Sequence, residues 1–153
     1  MSLTESQLSA LPEGWCATAR PNDECDVSHS GIAEEVAVEV SAEHPLFGVA
    51  VEVAAHDVAF DDVLCQHVED PERFTEVHLT WARRAESFGL PSIECDGNWE
   101  DFLRLQRAIS AVVDSAAEAE QLGLREPVTE AGTPSRPIVV RAPARGLDSE
   151  SGR

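Results

Sequence analysis

The sequence contains no Lys and no Tyr, and its only Met is residue 1. Without Lys, the chain lacks the ammonium group of a P-loop, the amine of Schiff-base chemistry and every Lys general base. All 11 basic residues are therefore Arg. Asn and Ile are scarce as well, with two and four residues, which is a bias that a GC-rich genome produces.

Positively charged residues are also scarce. The 153 residues include 11 Arg and 29 Asp and Glu, which gives a formal net charge of −18. An anionic surface repels nucleic-acid phosphates and anionic lipid, so we expect neither direct nucleic-acid binding nor membrane binding. The same surface favours a basic protein partner. Adaptation to high salt is the competing explanation of this charge.

Targeting signals are the third absence. No apolar run approaches the 18 residues that a membrane span needs. Residues 1–5 contain neither a basic region nor an apolar core of the kind that begins a secretory signal, so we predict a cytoplasmic location. In that compartment the four cysteines are expected to be reduced thiols, and no two of them form a CxxC pair.

Length and a 42% hydrophobic content allow one domain with a real core but hardly two. We predict an N-terminal helix and loop over residues 1–31 and a single α+β domain over residues 32–124. Residues 125–153, rich in Pro, Gly and Ser, are predicted to be a flexible and mostly disordered tail, with a β-prone segment at residues 137–141. Residues 134–153 carry four Arg and two acids, which suggests that the tail packs on the acidic body or adds a strand to a partner.

Hydrophobic periodicity predicts the order of the elements inside the domain. Alternating valines indicate strands, a spacing of three and four indicates helices, and Asp57 and Asn98 are suitable N-caps. The predicted elements are strands at 34–40 and 46–54, a helix at 57–70, a strand at 76–81, a short strand at 92–95 and a long helix at 99–122. The buried stripe of that last helix is predicted to be Phe102, Leu105, Ile109, Val112, Val113 and Ala116.

This order predicts an α+β fold, with a small, mainly antiparallel sheet of three to four strands and two helices packed on one face. Small acidic α+β proteins of this size include immunity proteins, antitoxins and secretion-type chaperones, and this order is similar in architecture to the chaperone-like fold with two helices on a curved sheet. The edge of the predicted strand at 34–40 offers a route to a homodimer.

A metal site is one alternative, formed by Cys16, Cys25 and His29. Cys25 and His29 are four residues apart, and thiolates with an imidazole suit zinc. The spacing matches no recognised zinc knuckle, however, and no fourth ligand is close in sequence. We therefore favour a loop with free thiols and predict no cofactor.

A small metal-dependent enzyme that uses His, Cys and Asp is the alternative function. The candidate acids, bases and ligands are His56, Asp57, Asp61, Asp62 and His78. No HExxH, GxSxG, GxGxxG or HxH motif supports it, so we assign no catalytic residue.

Arg83 and Arg84 form the only basic doublet on this acidic chain. They are candidate binding residues, together with Trp81 and Trp99, because an exposed Trp marks a contact patch. The alternative is that the arginines form internal ion pairs and the tryptophans seal the core. The sequence thus predicts a non-catalytic acidic protein that docks a cationic partner.

Overall fold

The computed structural model describes residues 3–23 and 25–123, which form an antiparallel sheet and three helices. The five strands lie in chain order, β1-β2-β3-β4-β5, and every neighbouring pair is antiparallel. The strands are β1 (Trp15–Ala17), β2 (Val51–Asp57), β3 (Asp62–His67), β4 (Phe74–His78) and β5 (Ser92–Gly97). The helices are α1 (Glu5–Ser9), α2 (His29–Glu39) and α3 (Trp99–Gln121). The predicted α+β class with an antiparallel sheet is confirmed, with one strand more than the upper prediction.

The sheet is covered on both faces, and this corrects the prediction of two helices on one face. Successive residues of β3 point to opposite faces: Leu64 joins a cluster that contains Phe102 of α3, whereas Val63 and Cys65 join a cluster that contains Ile32 of α2. All three of these β3 residues are buried. A central strand that is buried on both sides has no polar face, so period-2 alternation could not reveal it.

The prediction of a strand at residues 34–40 is wrong, because this segment lies in α2. Ser28 caps the helix with its hydroxyl, which accepts a hydrogen bond from the Gly31 amide. Glu35 and Glu39, one helical turn apart, are buried with Val36, so the inner face mixes carboxylates with apolar side chains. That mixture hid the helical period. A helix offers no strand edge, so residues 34–40 do not supply the edge for a homodimer, and a homodimer through an edge strand stays a prediction.

The prediction of a helix at residues 57–70 is also wrong, because this segment forms the β2–β3 turn and β3. Asp57 has the chemistry of a cap, since its Oδ1 accepts hydrogen bonds from the amides of Ala59 and Phe60, but it closes a hairpin. The strand predicted at 46–54 begins later, at Val51. The strands predicted at 76–81 and 92–95 correspond to β4 and β5.

The long helix was predicted with its correct cap. Asn98 accepts a hydrogen bond from the Asp101 amide, and the Asp101 carboxylate accepts one from the Asn98 amide. The predicted buried stripe is wrong beyond its first turns: Phe102 is buried, whereas Ile109, Val112 and Val113 are exposed. At 1.5 Å per residue the helix is roughly 34 Å long, and only its N-terminal part contacts the sheet.

The predicted tail and the segment at 137–141 lie outside the described residues. The division at residue 31 stays a prediction, although α2 begins before that position, at His29. Among the described residues, no helix combines the length and the apolar character that crossing a membrane requires.

Candidate metal centre

Two neighbouring strands bring the first pair of donor side chains together. Cys16 on β1 lies directly opposite His56 on β2 in the antiparallel register. The flanking residues Trp15 and Ala17 belong to the cluster under α3, so the Cys16 side chain points to the α2 face. Both Cys16 and His56 are buried. The sheet register therefore fixes a thiol beside an imidazole.

The second pair comes from the loop and helix that connect these strands. His29 is the first residue of α2, directly after the Ser28 cap. Cys25 lies in the preceding loop, where its amide donates to the Asn22 carbonyl. The start of the helix and this turn carry both side chains to the Cys16–His56 pair.

The four donor atoms lie within 4.8 Å of one another. Cys25 Sγ is 3.4 Å from His29 Nε2 and 3.2 Å from His56 Nε2, while the two Nε2 atoms are 3.1 Å apart. Cys16 Sγ lies 3.7 Å from His29 Nε2. Bonds of about 2.3 Å to sulfur and about 2.0 Å to nitrogen separate tetrahedral zinc donors by about 3.5 Å for a sulfur–nitrogen pair and about 3.3 Å for two nitrogens. The distances fit the edges of that tetrahedron.

The electrostatic environment of His56 and Cys16 also suits a cation. Burial lowers the pKa of His56, which keeps the imidazole neutral as a ligand must be. Its Nδ1–H donates to the Asp57 carbonyl over 3.2 Å, so the Nε2 lone pair faces the cluster. Burial raises the pKa of the Cys16 thiol, and the neighbouring Cys25 raises it further. A soft dication would replace the thiol protons that this setting otherwise retains.

The donor set identifies the kind of metal. Two thiolates and two imidazoles in tetrahedral arrangement are typical of Zn²⁺, whereas Ca²⁺ and Mg²⁺ need oxygen ligands. The structure brings Cys16, Cys25 and His29 together, as the metal alternative in the sequence requires. The fourth donor of the cluster is His56, which the sequence analysis offered among the acids, bases and ligands of the enzyme alternative and not with Cys16, Cys25 and His29. Because His56 is 27 residues from His29, only the sheet register reveals it.

The remaining catalytic candidates do not join this cluster. Asp57 closes the β2–β3 turn, and Asp61 accepts a hydrogen bond from Trp81 Nε1. His78 pairs with Asp62 at 2.7 Å, and this hydrogen bond raises the pKa of the His78 imidazole. A different buried histidine, His67, bonds to the Thr75 hydroxyl. These side chains therefore stabilise turns and neighbouring strands.

The candidate binding residues from the sequence analysis do not lie together on one face of the sheet. Trp99 packs against Phe74 and Phe102 in the cluster under α3. Trp81 is 40% exposed and lines a shallow cleft with Arg83 beside α2. The Arg84 side chain forms an ion pair with Glu86. The four residues thus form no single patch.

The other two cysteines lie outside the cluster. Cys65 is fully buried in the core under α2, which raises its pKa to about 12. Cys95 is on β5, opposite Glu76. Cys95 therefore serves as an internal control for the two cysteines of the cluster.

No family model, curated protein or solved structure matches the chain. A functional interpretation therefore depends on the chemistry of the site itself.

Proposed function

We propose that the protein is a Zn²⁺-stabilised, non-catalytic binding domain whose acidic surface docks a cationic protein partner. The observation that carries the metal assignment is the convergence of Cys16, Cys25, His29 and His56 with tetrahedral donor spacing. A site with four protein ligands is typical of structural zinc.

The closed donor set favours a structural role over the alternative of a metal-dependent enzyme. Catalytic zinc sites usually have three protein ligands and keep the fourth position for water or substrate. Here all four positions are supplied by the chain. Zinc would therefore tie β1, the following loop, α2 and β2 into one unit rather than activate a water molecule.

The structural role has an energetic reason. β1 has only three residues, and it pairs with β2 alone in the described sheet. Two of the four buried residues of α2 are the carboxylates Glu35 and Glu39. The helix thus buries little apolar surface and β1 has a single strand partner, so a shared metal ion would supply stabilisation that they lack.

Zinc content tests the metal assignment directly. We expect about one Zn²⁺ per chain in protein purified without chelator, and loss of that zinc in Cys25→Ser. The matched control is Cys95→Ser, which removes an equally half-buried thiol outside the cluster and should keep the zinc. Metal-free wild-type protein that takes up no added Zn²⁺, or a Cys25→Ser variant that retains it, would overturn the proposal.

Cobalt substitution separates the structural site from the catalytic alternative. Co²⁺ in a closed tetrahedral site with thiolates gives an intense ligand-field spectrum that added azide or thiocyanate leaves unchanged. A spectrum that shifts with either anion would reveal an open coordination position. That result would favour the enzyme.

A further inference from the structure

An apolar groove of about 660 Å³ runs between α2 and the segment that leads into β2. One wall is the helix face with Ala33, Ala37 and Val40, and the other wall is the stretch from Phe47 to Val53. Val36 and Leu46, both buried, line it as well. The volume lies within the range of ligand-binding clefts.

The wall opposite the helix is fixed in place without a ligand. His44 is buried, and its Nε2–H donates to the Pro91 carbonyl over 2.8 Å, while its Nδ1 accepts a hydrogen bond from the Leu46 amide. This clamp fixes the start of the segment that contains Phe47. Phe47 is nevertheless 58% exposed, so its ring is available to a partner.

The stretch of sequence that supplies the groove lining is acidic. Residues 21–72 contain fourteen Asp and Glu and no Arg, and apart from Thr18 they supply the whole groove lining. By contrast, residues 73–123 contain five Arg. An apolar channel in such a field complements an apolar segment with positive flanks.

We propose that this groove docks a peptide segment of a protein partner whose Val or Leu side chains fill the channel and whose Arg or Lys side chains flank it. The inference rests on the proposed docking of a cationic partner, and it assigns the surface of this chain at which that partner docks. His29 belongs both to the metal cluster and to the groove lining, so the proposed zinc would also hold one end of the channel.

Binding of designed peptides to the full zinc-loaded chain tests the proposal. The probe is a synthetic peptide of about 14 residues with a central run of Val and Leu between Arg residues. One control peptide has Glu in place of each Arg, and another has Ser in place of each Val and Leu. We expect micromolar or tighter binding of the probe alone, weakened by salt.

Two matched protein variants locate the binding site. Phe47→Ser removes an exposed ring from the groove and should weaken the probe about tenfold. Phe88→Ser removes a 99% exposed ring outside the groove lining and should leave the affinity unchanged. Zinc content is measured on each variant, so that a loss of metal is not mistaken for a loss of contact.

Each of the other outcomes would overturn one part of the proposal. Equal binding of the Glu peptide would exclude charge selectivity, and equal binding of the Ser peptide would exclude the apolar channel. Salt-sensitive binding that Phe47→Ser leaves intact would place the cationic partner elsewhere, so this inference would fail while the proposed function stands. Absence of binding by every peptide would overturn both cationic docking and the groove, whatever the zinc content.

Discussion

The two faces of the sheet are closed by different chemistry. On the α3 face, aromatic rings pack edge to face: Trp15 meets Phe102 at 5.0 Å and Phe74 meets Trp99 at 5.5 Å between centroids. On the α2 face, Ile32 and Val36 of the helix join an aliphatic cluster that contains no aromatic ring, and polar contacts lie beside it. Glu39 accepts hydrogen bonds from the Thr80 and Ala82 amides, and His29 joins the metal cluster.

This difference indicates that different interactions stabilise the two faces. Buried aromatic area stabilises the α3 face whatever ions the solution contains. Among the described residues, the α2 face has no buried Phe or Trp ring, and it combines an aliphatic cluster with charged hydrogen bonds and the candidate metal site. The candidate metal site and the groove both belong to the second face.

Removal of the proposed metal should have the largest effect on stability, and this effect should be larger on the α2 face than on the α3 face. Chelation is expected to abolish hydrogen-exchange protection in α2 and β1, because structural zinc stabilises a fold by several kcal/mol or more. Amides around Phe102 and Leu103 in α3 should stay protected. Exchange measured by mass spectrometry with and without chelator checks this. Simultaneous loss of protection in α3 would show that the faces form one cooperative unit and would break the comparison.

The corresponding test of the α3 face is the substitution Phe102→Ala. Phe102 is fully buried between Trp15 and Trp99, so truncation should cost about 3 to 5 kcal/mol of unfolding free energy. The zinc content of the folded variant should be unchanged. Urea unfolding provides the measurement. Val112→Ala on the same helix is the control, since this side chain is 69% exposed and should change stability by less than about 0.5 kcal/mol.

The same contrast explains what the sequence could predict. Asn98, the acids of the first turn and a regular apolar pattern are local signals, and they predicted α3 correctly. The α2 face has no such signal, because Glu35 and Glu39 look solvent-exposed until the residue 80–83 backbone that they bind is in place. His56 likewise becomes a candidate ligand only when β1 and β2 are in register. Local patterns therefore predicted α3, but they missed α2, whose buried carboxylates bind a distant segment, and β3, which is buried on both faces.

The α3 face contains a buried carboxylate, Glu76, and the pH dependence of stability offers a way to sharpen the comparison. Glu76 is 1% exposed, and Gln106 Nε2 donates to both of its carboxylate oxygens. Burial raises the pKa of Glu76 to about 7. The native state therefore keeps a proton that the unfolded chain releases near pH 4.5, and stability should fall by about 2 to 3 kcal/mol as the pH rises to 7.

Glu76→Gln should remove this part of the pH dependence. The difference in unfolding free energy between variant and wild type should favour the variant more at pH 8 than at about pH 5. Denaturant unfolding at both values measures it, and Glu72→Gln on an exposed acid is the control. A difference that does not vary with pH would mean that the pKa of Glu76 is the same in the folded and unfolded states, so that burial does not raise it.

The smallest predicted effect concerns the carboxylate that joins α2 to the β4–β5 connection. Both oxygens of Glu39 lie within 3.1 Å of the Thr80 amide nitrogen, and the residue has no exposed surface. Glu39→Gln keeps the shape but replaces one acceptor by a donor that faces an N–H group, which should cost about 1 to 3 kcal/mol. Glu34→Gln, on an exposed position of the same helix, should cost less than about 0.5 kcal/mol. Chelation can also be measured in the Glu39→Gln variant. The combined loss of unfolding free energy should exceed the sum of the losses caused by chelation alone and by the substitution alone, because each anchor limits the opening that loss of the other permits. Simple additivity would instead mean that the cluster and the carboxylate hold α2 independently, at its two ends.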